Sequence, residues 1–369
     1  MNRASFRFVW VALVGSLQTM TAQPVVNYVG EGSLLQRWAW AVKEASTQSQ
    51  KEFWIVYSIK RLMDEDSYVA TGSYFSGVIS SAKSLYSQMS ISDSTEEDSK
   101  IAAKRGLRRT HSSRGSIEKR LKDVAFIFKQ SDGKIASVDV NSMELDFSLK
   151  RLPAYWLGVA GTDESLAKLR AILPNLAEVK QRRNAVQAAG LHQTSSVAPF
   201  LTEILESDEQ PEVRAEAAEW LGEQNTNDIL PVLEKHAAGA TTERLIEACV
   251  YAISRVESNE STELIIKLAK SGKNSRLRKK AAFWLGQKAT LKSQATLSDL
   301  LENDPDTDVQ RQALYAIAQG KDDEVTDRLI RVAHTHPRSS IRKQAIYLLS
   351  DKAERDERAL DALIDLTKK

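Results

Sequence analysis

Along the second half of the chain apolar residues recur in two interleaved ways: at three-and-four spacing within short stretches, and as whole phrases every 32 residues. An anchor position holds Gln181, Val213, Leu245, Leu277, Val309 and Ile341. Four places later stands a small residue, Ala185, Ala217, Cys249, Ala281, Ala313 and Ala345, and nine places later Gly190, Gly222, Ser254, Gly286, Ala318 and Ser350. A fixed period of this size marks an array whose units cannot bury their own apolar faces and must stack on their neighbours.

Within one unit, Val197, Phe200, Leu201, Ile204 and Leu205 have the spacing of an amphipathic helix, with Pro199 near its start, where a missing N–H costs nothing. The polar run 206–211 breaks the pattern, and a second helix begins near Glu212. There the anchor Val213 and Ala217, Ala218, Trp220 and Leu221 fall in an arc of roughly 160° at 100° per residue, which predicts the buried face. The small column admits a close partner helix, and the closing Gly or Ser suits a left-handed helix end.

The phrases Val213-Arg214-Ala215-Glu216-Ala217-Ala218-Glu219-Trp220-Leu221-Gly222 and Leu277-Arg278-Lys279-Lys280-Ala281-Ala282-Phe283-Trp284-Leu285-Gly286 resemble HEAT repeats of the short bacterial kind, also seen in phycobilisome-lyase-like proteins. The unit at Leu245 departs from the pattern, with Ile246 for the Arg, Cys249 for the Ala and Ser254 for the Gly. The resemblance implies a mainly α chain: a right-handed HEAT-type α-solenoid over 154–369, of about six repeats, used for macromolecular recognition, with its second helices lining the concave surface. A family fold does not by itself give a function.

The preceding region, 24–150, predicts a small α+β or strand-rich domain, or a set of strands that caps the open end of the solenoid. Ser33 caps a helix with Leu34, Leu35, Trp38, Ala41 and Val42 on one side, and 52–59 reads as a strand. A further strand is sought in 68–79. Residues 124–128 and 135–140 flank Asp132-Gly133, a hairpin turn signal. Between these, 90–116 is polar, acidic and then basic, and reads as a mobile loop. Tyr155-Trp156-Leu157-Gly158 stands in phase with the repeats and reads as a degenerate half-repeat, although Pro153 falls in its alanine slot. Thr162 or Asp163 then caps the first helix of the first full repeat, with Leu166, Leu169, Ile172 and Leu173 inward.

Arg3 and Arg7 precede the apolar run 8–14 and a small, polar stretch, the layout of a signal peptide over 1–22 cleaved near Ala22. The run is too short to anchor in a bilayer, so a periplasmic or secreted protein without a membrane span is expected. The single cysteine, Cys249, permits no internal disulfide and sits in an alanine slot as a small hydrophobe.

With 369 residues, 42% hydrophobic, 27% charged and a net charge of +2, the chain is globular and lacks the excess charge of a nucleic-acid binder. The basic stretch 100–122 is the other support for that alternative, and HEAT-like nucleic-acid-binding proteins are its precedent. No G-x-S-x-G, Gly-rich phosphate loop, H-E-x-x-H or Cys pair occurs, so no enzyme, metal or cofactor is expected. His334-x-His336 reads as a solvated turn. A lyase acting on a chromophore-protein substrate rests on the repeat resemblance alone.

The column six after the anchor reads Gln187, Glu219, Tyr251, Phe283, Tyr315, Tyr347, and lies outside the buried arc. Beside its aromatic part stand Lys279, Lys280, Arg311 and Lys343. Such a ladder predicts either packing between neighbouring helices or a recognition groove, in which rings supply contact area and the cations steer an acidic protein or peptide partner. The reading reached from the sequence is a non-enzymatic scaffold or adaptor of the cell envelope.

Overall fold

The computed structural model describes residues 25–65, 67, 69–71, 119–144, 149, 152–288, 290–320 and 324–368. The expected signal peptide and the loop at 90–116 lie outside the described residues, as does the strand sought in 68–79 except at 69–71, where Ala70 bridges to Asn141. The chain divides into two compact units, 1–197 and 198–369.

The first unit holds β1 (Val25–Asn27), α1 (Leu34–Thr47), β2 (Glu52–Asp64), β3 (Lys119–Ser131), β4 (Lys134–Ser142), β5 (Ala154–Val159), α2 (Thr162–Ile172) and α3 (Val179–Gly190). Its sheet runs β1-β5-β2-β3-β4. The backbone bond of β2 to β3 is continuous from Glu52 opposite Ser131 to Asp64 opposite Lys119. Asp132 and Gly133 close the β3–β4 hairpin with φ of 47° and 77°, the positive pair that a two-residue turn matching strand twist requires. Ser33 caps α1 and Gln36 completes a capping box. Trp38 meets Phe128 edge-on at 5.1 Å, and Tyr57 stacks on Phe128 at 5.5 Å. The expected inward face of α1 is too wide: Leu35 and Val42 are exposed, because Leu34, Trp38, Ala41 and Ala45 already form the stripe that touches the sheet.

Three expectations here are corrected. Residues 154–159 are not a half-repeat: β5 pairs in parallel with both β1 and β2, and Gly158 has a φ of 79°, outside any helix. Pro153 sits just before the strand, where only its carbonyl is used, accepting from Trp54 N at 2.8 Å. The helix that follows is α2, whose N-cap is Gly161 with no side-chain cap, rather than Thr162 or Asp163. The end of the basic stretch 100–122, offered as support for nucleic-acid binding, belongs to the sheet. Lys119, Arg120 and Lys122 belong to β3, and Lys122 is buried, ion-paired with Glu144 at 3.0 Å and donating to Ser67 O at 3.0 Å.

Gln181, the polar exception in the anchor column, now has a reason. Helix α3 lies along β4, where Val138 N donates to Gln181 Oε1 at 2.7 Å and Asn184 Nδ2 donates to Val138 O at 2.8 Å. Two amide side chains thus satisfy a strand edge that would otherwise stay open.

The second unit is made of helix pairs: α4 (Val197–Ser207) with α5 (Pro211–Gly222), α6 (Leu230–Gly239) with α7 (Glu243–Arg255), α8 (Asn259–Ser271) with α9 (Ser275–Lys288), α10 (Leu291–Asn303) with α11 (Thr307–Ala318), and α12 (Glu324–Thr335) with α13 (Ser339–Ala353), followed by α14 (Glu357–Thr367). Thr242, Ser258, Thr290, Asp306 and Asp356 cap helices of this series through their side chains. The predicted faces of α4 and α5 are buried, and on α5 the burial extends to Ala215 and Glu216. The second helices touch one another in sequence, α5 to α7, α9, α11 and α13, and lie closer together than the first helices do. Cys249 is buried in that layer, and burial pushes its thiol pKa up to about 12, which suits a packing role.

The closing glycines serve this close approach and not a left-handed cap. Neither Gly222 nor Gly286 has a positive φ. A Cβ on Gly222 would sit 2.6 Å from Ala252 Cα, and one on Gly286 2.8 Å from Ala316 Cβ, each in the next repeat. Gly222→Ala is expected to destabilise the second unit by about 1–3 kcal/mol through overpacking. Gly239→Ala, where nothing lies within 4 Å, is the control and should be near neutral. Equal urea midpoints for the two variants would refute the close-approach account.

Candidate functional site

Helix geometry and the 32-residue period together make a regular surface on the last second helices. Lys279 and Phe283 on α9, Arg311 and Tyr315 on α11, and Lys343 and Tyr347 on α13 are each four residues apart, so cation and ring share one face a turn apart. Earlier second helices break the pairing, with Glu247 before Tyr251 and Ala215 before Glu219.

The ladder is not uniform. Tyr251 is 7% exposed, its ring tilted on Trp284 at 5.5 Å and its hydroxyl donating to Glu223 Oε1 at 3.1 Å. Burial, then the Glu223 carboxylate, raises its pKa. Phe283 is half-buried, edge-on to Trp284 at 5.2 Å. By contrast Tyr315 and Tyr347 are 45% and 62% exposed. The cations divide the same way. Lys280 is buried between Glu247 and Glu243, so it and Tyr251, expected on a recognition groove, are instead packed inside the array. Lys279 is half-buried, Lys343 is exposed, and Arg311 is exposed with an ion pair to Asp308 at 2.7 Å one turn back.

Elsewhere several charges of the unit are paired from helix to helix. On the first helices Lys235 meets Glu206, Lys267 meets Glu234, Lys270 meets Asp299 and Lys292 meets Glu263. In the earlier second helices Arg244 meets Glu219 and Arg255 meets Glu223. The surface from Lys279 to Tyr347 differs because its cations outnumber nearby acids and its last two rings face solvent.

Sequence reasoning noted the arginine after the anchor only as part of a phrase, and missed its work. Arg214 donates to Leu205 O at 3.0 Å, Arg278 to Gly272 O at 2.9 Å and Arg342 to His336 O at 2.8 Å. Each thus satisfies a carbonyl at the turn between its own two helices. Arg278 also holds Asp304 of the next repeat through Nε at 2.8 Å and Nη2 at 3.0 Å. The signal was the alternation: from 214 onward arginine stands in every second repeat, with Ile246 and Gln310 between.

His336 is also corrected. It is buried, with Nε2 3.1 Å from Leu301 O and Nδ1 accepting from Arg338 N at 3.2 Å, so it pins the turn and is not solvated. Among the described residues no cluster of His, Cys, Asp and Glu could hold a metal ion, and no helix is long and apolar enough to cross a membrane.

Stacked helix pairs with a close-packed second layer define an α-solenoid. The family of HEAT repeats matches residues 166–254, 198–286 and 294–369, more than half of the chain, and the protein belongs to that family. Among solved structures it is similar to the complex of CpcE and CpcF of phycocyanin lyase from Nostoc sp., at 15% identity over 41% of this chain and 97% of that one, with a TM-score of 0.34. Human deoxyhypusine hydroxylase in complex with glycerol is similar at 14% identity over 55% and 85%, with a TM-score of 0.25. Kap121p is similar at 14% identity over 56% and 27%, with a TM-score of 0.33. No curated protein matches the chain in sequence.

Proposed function

We propose that the protein is an exported, non-enzymatic scaffold that docks a protein or peptide partner on the second-helix face of its last three full repeats. The observation that carries this reading is the contrast in charge matching. Ion pairs run along the first helices and the earlier second helices, whereas Arg311 and Lys343 stand beside rings that open to solvent, with the half-buried Lys279 beside the half-buried Phe283. Exposed cations raise encounter rates with an acidic partner, and tyrosines give contact area at a small entropy cost.

The test uses the Tyr315→Ala/Arg311→Ala double variant beside Lys235→Ala on the first-helix face. Proteins retained by the wild type and by Lys235→Ala should be lost from the double variant, with an unchanged melting temperature. A loss of helicity that parallels the loss of capture would instead assign these residues to packing.

A further inference from the structure

We infer that this face takes an acidic segment in the polyproline II conformation. The inference rests on the docking reading above and adds the shape and chemistry of the ligand. Three cation–ring pairs stand in register on successive helices: Lys279 with Phe283, Arg311 with Tyr315, and Lys343 with Tyr347. Packed helices lie ~8–10 Å apart, and one helical turn is ~5.4 Å. A chain crossing the helices therefore meets a ring every ~8–10 Å and, about one turn to the side, a cation at the same step.

Of the regular backbone conformations, polyproline II fits both rows. It returns to the same edge every three residues after a rise of ~9.3 Å, so one edge follows the rings while the adjacent edge follows the cations. A β-strand repeats its face every ~6.6 Å and is out of step by the second ring. An α-helix returns to the same face every ~5.4 Å, so one turn falls short of the ~8–10 Å ring step and two turns overshoot it.

The polar groups agree with this choice. Among the described residues neither the Tyr315 nor the Tyr347 hydroxyl has a hydrogen-bond partner, so both can donate to the carbonyls of a chain that has no internal hydrogen bonds. Lys279 and Lys343 are similarly unengaged, and the exposed Arg311–Asp308 pair costs little to exchange. The ligand is therefore a segment of about seven residues or more, with proline or another apolar residue at every third place and Asp or Glu beside it. Its register starts at α9, because Glu247 occupies the cation place on α7.

The test is fluorescence anisotropy of the full chain with four labelled twelve-residue peptides, repeating Glu-Pro-Pro, Gln-Pro-Pro, Glu-Ala-Ala or Glu-Val-Thr. The Glu-Pro-Pro peptide should bind about tenfold or more tightly than the others. Tyr347→Ala and Lys343→Ala should each weaken it by about tenfold, and Lys235→Ala should leave it unchanged. Equal binding of Glu-Ala-Ala or Glu-Val-Thr that still depends on Tyr347 would overturn the polyproline shape and leave the docking face standing. Absence of binding by all four peptides would also overturn the inference. If the double variant above retained its partners as well, the docking reading would fall with it.

Discussion

Replacing Arg278 with alanine is expected to cost the second unit about 3–5 kcal/mol, because it strands a carboxylate that water cannot reach. The Asp304 side chain is 3% exposed, and both of its oxygens accept from the Arg278 guanidinium. The same guanidinium closes the C-terminal end of α8 at Gly272 O, so truncation also frees a helix-end carbonyl. That carboxylate holds the arginine pKa above its ordinary value, consistent with a pair made in the folded state. Arg311→Ala, which removes an exposed pair, should cost under about 1 kcal/mol. Arg278→Met with Asp304→Leu should recover part of the loss, since an apolar pair leaves no charge buried. In a linear array the damage stays near the break, so hydrogen exchange of α8–α10 is the measurement. Equal protection in Arg278→Ala and Arg311→Ala would remove the buried pair from the account.

The first unit should lose stability in mild acid through His192. This ring is 1% exposed, lies edge-on to Phe126 at 5.3 Å, and donates from Nδ1 to Ala188 O and Ala189 O at 2.9 and 3.1 Å. Among the described residues its Nε2 is buried without a hydrogen-bond partner. Burial pushes its pKa down to about 4 from 6.5, with the Arg61 guanidinium acting in the same direction and Asp163 in the opposite one. Between those two values the unfolded chain binds a proton that the folded chain refuses. The stabilisation is therefore complete above pH 6.5 and lost as pH falls toward 4, at ~1.4 kcal/mol per pH unit and ~3 kcal/mol in all. Carboxylates titrate in part of the same window, so the reading is the difference between wild type and His192→Gln in chemical denaturation from pH 7 to pH 4.5. The variant should show the shallower slope, and parallel pH profiles would rule out His192 as the source.

How much of this was legible before folding differs from residue to residue. The period was legible because anchor, small and closing columns each repeat a local demand: an apolar contact, room for a neighbour, a helix end. The glycine at 222 was visible, but not its reason, since the atom it avoids belongs to Ala252 in the next repeat. Residues 154–159 misled because a short apolar run suits helix or strand alike. What decides is β2, about a hundred residues earlier in the chain, which offers an edge to pair with. His336 beside Pro337 read as a turn open to water, and it is the Leu301 carbonyl, 35 residues upstream, that buries it. Gln181 carried no local sign of the strand edge it completes.

The candidate site divides along the same line. Spacing alone put a cation and a ring four residues apart on three helices, because 3.6 residues per turn requires that they share a face. Whether each ring is free depends on what packs beside it: Trp284 of the next repeat covers Tyr251 and meets Phe283 of its own helix edge-on, while Tyr315 and Tyr347 remain open. Likewise Lys280 looks no different from Lys279 in the sequence, yet only Lys280 faces the carboxylates of α7. Sequence by itself thus determined the helices, their pairing and their repeat, which follow from local periodicity. The tertiary structure decided exposure and charge matching, because both are properties of contacts between repeats and no single repeat contains them.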